Sequence, residues 1–216
     1  MIELVAFDME GCLTAAPTVW EIMHRKWGTW ESHGAPYWDQ YRAGELHYDE
    51  FAMMDVACWK GAPVEMLQKS VREVPLMTGC KKLLASLGHS GIRTVIITNG
   101  LMELARRLVD NLNVSHAAGN RVKTHRGKLT GELELHVPFD AKGRILEDLC
   151  ERYGVSPEEA AAVGDGRADA DMFVRSGVSV AFCPGAPEVQ EAATHVVREP
   201  DLRNLIPILR GEDDEI

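Results

Sequence analysis

The chain has 216 residues, 45% of them hydrophobic and 26% charged, with a formal net charge of −10. That length holds one large domain or a core with an inserted cap, and the acidic balance argues against nucleic acid as a partner, because phosphate backbones are met by clustered Lys and Arg. The absence of any run of about 18 apolar residues predicts no membrane span, and an apolar start without a basic leader predicts no signal peptide.

In chain order, residues 2–7 read as a buried strand. Two carboxylates, Asp8 and Glu10, leave its end, and Gly11 lets the chain turn away. A strand ending in carboxylates is costly unless something binds them, and oxygen ligands of this kind suit Mg2+. An acidic surface turn is the competing reading of this motif alone. Residues 15–77 then hold all five tryptophans and three of the four tyrosines. Val19, Ile22, Met23, Trp27 and Trp30 recur at helical spacing, as do Phe51, Met54, Val56 and Trp59 and the stretch 63–74. This predicts a helical insertion of about 60 residues, enough for a small four-helix cap. Its Trp and Met stripe reads as core. His24, His33 and His47 read as structural or solvated. Arg25, Arg42 and Lys60 are the cap cations available to a substrate.

From Gly79 helix and strand alternate. Residues 80–87 form a helix and 93–97 a β-branched strand, after which Thr98-Asn99-Gly100 leads into a helix over 101–112. Residues 116–131 read as a strand and hairpin turning near Arg126-Gly127-Lys128. Residues 142–153 form an amphipathic helix. Ser156 fits a helix N-cap with Pro157 first and Glu159 third. Strands over 160–163, 178–182 and 195–197 and helices over 169–176 and 201–209 follow. The acidic run 212–215 reads as a solvated, frayed end. Cys12, Cys58, Cys80, Cys150 and Cys183 are odd in number and lack CxxC spacing, which predicts reduced thiols in a cytoplasmic protein. The pattern is α/β: a Rossmann-like, mainly parallel sheet flanked by helices, with residues 1–14 and 78–216 as core and 15–77 as cap.

Ligands of an open parallel sheet sit at the carboxyl ends of its strands. Asp8 and Glu10, Thr98 and Asn99, and Asp165 and Asp169 all fall at such ends, and Lys142 opens the helix before the strand 160–163. Each has a bland reading: Thr98 as a helix cap, Lys142 as a solvated cation, Asp165 as a turn with Gly166. Together, carboxylates, a hydroxyl and a lysine complement a metal ion and a phosphate. Displacement at phosphorus needs a nucleophile, neutralised equatorial oxygens and a proton for the leaving group. Asp8 is the candidate nucleophile and Glu10 the general acid and base. Thr98, Asn99 and Lys142 are the phosphate-binding candidates. Asp8, Glu10 through its main-chain carbonyl, Asp165 and Asp169 are the candidate ligands of Mg2+.

These residues resemble the haloacid dehalogenase superfamily, and within it the phosphoserine-phosphatase-like branch. The family's DxDGT motif is matched by Asp8-Met9-Glu10-Gly11-Cys12, its strand-ending Ser or Thr by Thr98, its Lys by Lys142, and its GDGxNDxxM by Gly164-Asp165-Gly166-Arg167-Ala168-Asp169-Ala170-Asp171-Met172. The resemblance covers nearly the whole chain. It implies Mg2+, phosphorylation of Asp8 and a helical cap that closes over the substrate. Three departures stand out. Glu10 replaces the usual Asp, as in the similar phosphoserine:homoserine phosphotransferase group, and Ala168 replaces an Asn. Asp55 or Met53 falls where the branch carries an Arg for the substrate carboxylate. An ionised Asp cannot bind a carboxylate, which argues against phosphoserine. The leading expectation is a phosphomonoester hydrolase acting on a small phosphorylated metabolite. A phosphotransferase to an alcohol and a non-catalytic metabolite-binding protein are the alternatives.

Overall fold

A computed structural model describes residues 1–212. Among these residues seven strands form one sheet: β1 (Leu4–Phe7), β2 (Arg93–Leu101), β3 (His116–His125), β4 (Lys128–Glu134), β5 (Ala160–Gly164), β6 (Val178–Phe182) and β7 (His195–Val197). Their spatial order is β4-β3-β2-β1-β5-β6-β7. All neighbours are parallel except β3 and β4. The central strand β1 is buried on both faces, which explains its unbroken apolar run. Side chains alternate across it: Val5 and Phe7 join one core, Leu4 and Ala6 the other.

Among the described residues ten α-helices accompany the sheet: α1 (Val19–Trp27), α2 (Ala35–Ala43), α3 (Tyr48–Cys58), α4 (Val64–Glu73), α5 (Cys80–His89), α6 (Met102–Asn111), α7 (Lys142–Tyr153), α8 (Ala170–Phe173), α9 (Pro187–Glu191) and α10 (Ile206–Arg210). On one face, Leu83, Leu104 and Leu209 pack in a core that continues into Trp20 and Met23 of α1 and Trp59 just after α3. On the other, Leu146 of α7, Phe173 of α8 and Val189 of α9 cover Leu4 and Ala6. Among the described residues no helix is long and apolar enough to cross a membrane.

The expected elements recur with local differences. The strand β2 runs on to Leu101 rather than stopping at Ile97, and its register against β3 shifts between those residues. Thr98 Oγ1 accepts a hydrogen bond from Gly100 N at 3.0 Å, which holds this irregular stretch extended. The β3–β4 hairpin turns at Arg126 (φ 47°) and Gly127 (φ 76°), the two positive φ values of a type I′ turn. The Ser156 segment closes as a single 3-10 turn, Pro157–Glu159. The helix expected over 169–176 is a 3-10 turn, Arg167–Asp169, followed by the one-turn α8. It stops because Gly177 N is drawn to Pro157 O and Ala160 O at 2.9 and 3.0 Å. The last helix is split as well: Asp201 caps Arg203 N at 3.0 Å, a 3-10 turn runs Leu202–Leu205, and Pro207, which has no N–H, opens α10. The helix α9, with Pro187 in its first turn, was not anticipated. Of the acidic tail, Glu212 meets Arg210 at 3.0 Å; residues 213–215 lie outside the described residues.

One buried side chain ties the site's supports together. Asn120 in β3 is fully buried. Its Nδ2 donates to Asn99 O at 2.7 Å and Val137 O at 3.2 Å, and its Oδ1 accepts from His136 N and Val137 N, each at 2.8 Å. The end of β2 is thereby fastened to the segment leading into α7. Asn120→Ala strands a carbonyl and two N–H groups in the interior. It should lower unfolding free energy by about 2–4 kcal/mol, read from urea denaturation, and a loss under about 0.5 kcal/mol would contradict this role.

Candidate active site

In this sheet β1 connects to β2 on one side and pairs with β5 on the other. The strand order therefore reverses at β1, and the crevice at its carboxyl end is the expected ligand site. Asp8 follows Phe7 directly and donates its N–H to Val163 O at 2.8 Å, so it leaves the sheet beside β5. Gly11 turns the chain with φ 93°, and a Cβ there would collide with the Asp165 carboxylate. Glycine is required both for the conformation and for the close approach.

The structure brings Asp8, Lys142, Asp165 and Asp169 together. Lys142 Nζ donates to Asp8 Oδ1 and Asp169 Oδ1, each at 2.6 Å. Burial by itself would lower the Lys142 pKa, but the charges and hydrogen bonds of Asp169 and Asp8 outweigh it, and the net shift is upward. The ammonium is a fixed cation. Asp169 Oδ2 accepts from Asp165 N at 3.0 Å and Gly166 N at 2.9 Å, so this acid also shapes the turn after β5. Asp171, two residues on, accepts the N–H of Gly143 at 2.7 Å through Oδ2 and so anchors the start of α7 beside Lys142.

Carboxylate oxygens of Asp8, Asp165 and Asp169 lie within 4.8 Å of one another. Burial, then the charges of Asp8 and Asp169, push the Asp165 carboxyl well above its ordinary value. Asp169 is raised to about 6, chiefly by burial, with Lys142 opposing and Asp8 adding to the shift. A hard cation with oxygen preference is what such a set of acids fits. The fit has a pH signature. A folded-state pKa of about 6 against an ordinary 3.8 means that this group's favourable contribution is complete below about pH 4 and is lost as pH rises through about 6. Mg2+ should therefore raise the melting temperature more at pH 7.5 than at pH 5. At 100 times its Kd the gain is about 2.7 kcal/mol, or roughly 5–10 °C for a chain of this size. Equal increments at the two pH values, or none, would remove the cluster as the metal site.

Glu10 points elsewhere. Its Oε1 accepts from Val19 N at 2.9 Å and its Oε2 from Trp20 Nε1 at 3.0 Å, both at the start of α1. Its side chain is thus held by the helical insertion rather than among the three aspartates. Burial is the main cause of a pKa raised to about 7; the Val19 hydrogen bond lowers it, the Asp8 charge raises it and the Trp20 hydrogen bond lowers it. The extra methylene has room because residue 100 is Gly: a Cβ there would stand 2.9 Å from Glu10 Oε2. Thr98 and Asn99 are buried beside the crevice. Thr98 Oγ1 accepts from Gly100 N, which leaves its own O–H to donate. Asn99 Nδ2 is engaged by Val137 O at 3.0 Å and Pro138 O at 2.8 Å, a supporting contact absent from the sequence reading.

A cavity of about 400 Å³ opens over these groups, with Trp20, Trp30, Trp38, Tyr41, Tyr48 and Phe51 along the side formed by α1 to α3. The tryptophan stripe is divided: Trp59 is core, while three others face the cavity. Arg25, Arg42 and Lys60 are not among the lining residues. His24 is buried, with Nε2 3.0 Å from Asp55 Oδ1 and Nδ1 2.8 Å from Thr29 Oγ1. The position where an Arg was sought is thus a buried Asp facing a His. Asn120 carries no signal in the sequence, and the contacts of Trp20 with Glu10 and of Asp171 with Gly143 are not legible there because the partners lie 10 and 28 residues away.

Carboxylates set to hold a cation, beside a lysine set to meet an anion, are the equipment of a phosphatase-type hydrolase. Comparison with known proteins agrees. The family model for haloacid dehalogenase-like hydrolases matches residues 5–173. A phosphoserine phosphatase of Archaeoglobus fulgidus is 30% identical over 96% of this chain, which spans 60% of that protein's length. One from Methanocaldococcus jannaschii is 28% identical over 96% of this chain and 98% of its own. A solved phospho-aspartyl intermediate analogue of phosphoserine phosphatase superposes with a TM-score of 0.87 at 26% identity, covering 96% of this chain and 98% of that one. The chain belongs to the haloacid dehalogenase-like hydrolase family, in its phosphoserine-phosphatase-like branch.

Proposed function

We propose that the protein is a Mg2+-dependent phosphomonoester hydrolase that acts on a small phosphorylated metabolite through a phosphorylated Asp8. The observation that carries this reading is Lys142, whose ammonium bridges Asp8 and Asp169 at 2.6 Å each at the floor of the cavity. One Asp8 carboxylate oxygen attacks phosphorus, and the bond to the leaving oxygen breaks. Lys142, the Thr98 hydroxyl and polar groups around Asn99 hold the phosphoryl oxygens. Glu10 gives its proton to the leaving alkoxide. A water then attacks the phosphorylated Asp8, Glu10 takes its proton, and phosphate departs with Asp8 restored. Asp8, Asp165 and Asp169, with the Glu10 main-chain carbonyl, would hold Mg2+, which supplies positive charge between carboxylate and phosphate.

Residues 15–77 act as the cap, and its closure gates turnover. The contacts of Val19 and Trp20 with Glu10 support this, because they couple cap position to the acid. The unpaired state of all five cysteines supports a cytoplasmic location. The test is Mg2+-dependent phosphate release from a panel of phosphomonoesters, repeated with added alcohols. Release of inorganic phosphate supports hydrolysis. Phosphorylated alcohol in its place assigns a phosphotransferase, and neither product with Mg2+ bound assigns a non-catalytic protein.

A further inference from the structure

We propose that the cap reads an organic cation: the substrate is the phosphomonoester of an amino alcohol that carries no carboxylate, with its ammonium group against the aromatic wall. This rests on the phosphatase reading above. The wall is continuous. Phe51 stacks on Tyr41 with centroids 5.5 Å apart and rings 22° from parallel. Trp38 and Trp20 flank Phe51 at 5.9 and 6.0 Å, and Tyr48 meets Tyr41 at 5.5 Å. Trp38 remains 40% exposed, so an aromatic surface stands open at the cavity. Aromatic faces of this kind bind ammonium groups through the ring quadrupole.

The charge around the cavity points the same way. Six lining side chains are carboxylates and two, Lys142 and Arg167, are cations. Lys142 is engaged by Asp8 and Asp169, and Arg167 Nε meets Glu188 Oε1 at 2.5 Å. The insertion contributes Glu21 and Asp55 to the lining and no Lys or Arg. Asp55 faces His24 and Glu21 faces Arg25 at 2.8 Å, so these acids already have partners, and the insertion offers an anion no cation along the lining. Lys142 and a divalent metal are taken up by Asp8, Asp165 and Asp169 and by the phosphate itself, so among the lining residues no cation is left over for a second anionic group. A carboxylate on the leaving group would be buried without a counterion. An ammonium would reduce the net negative charge. A neutral aromatic alcohol would match the rings and leave the charge unanswered.

The test uses the Mg2+-loaded enzyme and compares kcat/KM for phosphocholine and phosphoethanolamine, for 3,3-dimethylbutyl phosphate (the uncharged isostere of phosphocholine), and for phosphoserine, with p-nitrophenyl phosphate as a reference. The expected result is a preference of about tenfold or more for at least one cationic ester over the isostere, with phosphoserine poorer still. Trp38→Leu should shrink the ratio of phosphocholine to its isostere. Equal rates for charged and uncharged esters would overturn the inference, and so would a preference for phosphoserine. Turnover of p-nitrophenyl phosphate alone would also overturn it while leaving the phosphatase reading intact. No turnover of any ester would overturn both.

Discussion

Asp8→Asn should abolish phosphate release and leave the fold at least as stable as before. The two readouts are expected to part because the proposed nucleophile stands where its charge is costly to the metal-free protein. It stands in a cluster of three acids within 4.8 Å, and its charge helps raise both Asp165 and Asp169. Asn keeps the shape and removes one negative charge. Lys142 loses a charged partner but retains Asp169 at 2.6 Å, so no buried ammonium is left alone. Stability without metal should be unchanged or higher by up to about 1 kcal/mol, and Mg2+ should raise the melting temperature less than in wild type. Turnover should fall by roughly 10^4- to 10^6-fold, the scale set by removing a covalent nucleophile. Mass spectrometry of trapped enzyme should find phosphate on the peptide containing Asp8 in wild type and none in the variant. A variant that keeps a tenth of the wild-type rate would reject Asp8 as the nucleophile.

The parts of this site that were legible in the sequence are those whose signal is local. The strand β1 announces itself by an unbroken apolar run, and Asp8 by ending it. The helix α7 begins and ends where its amphipathic spacing and Gly154, with φ 69° after the last turn, say it should. Thr98, Asp165 and Asp169 could be placed because a parallel sheet gathers strand ends at one edge. Elements without a local signal were misjudged. The turn around Asp169 is cut by contacts from Pro157 and Ala160, which no helical period encodes, and the last helix is split where Pro207 opens α10. The tryptophan stripe has one periodicity but two fates, because Trp59 turns to the core and Trp38 to the cavity. Asn120, 21 residues from Asn99 and 17 from Val137, reads in sequence as one more polar residue in a strand.

The Glu10 contacts show how a longer acid is accommodated where the family carries Asp. Its carboxylate reaches Val19 N and Trp20 Nε1, and Gly100 leaves it space. These donors favour the ionised form, whereas burial and Asp8 favour the neutral one, and a pKa of about 7 results. Such a group is suited to give and take a proton near neutral pH. Glu10→Gln keeps oxygen for one of the two donors and cannot transfer a proton. With alkyl phosphates, whose alkoxide needs that proton, kcat/KM should fall about 10^2- to 10^4-fold. With p-nitrophenyl phosphate the leaving phenolate needs little help, so the first step should survive. The second step should not, because water still lacks its base. The variant should therefore release about one equivalent of nitrophenolate per active site in a burst and then turn over slowly, with the phosphorylated Asp8 accumulating. Slow release without a burst would mean that Glu10 serves the first step even for a good leaving group. An equal, small deficit on both esters would mean that it holds the cap rather than a proton.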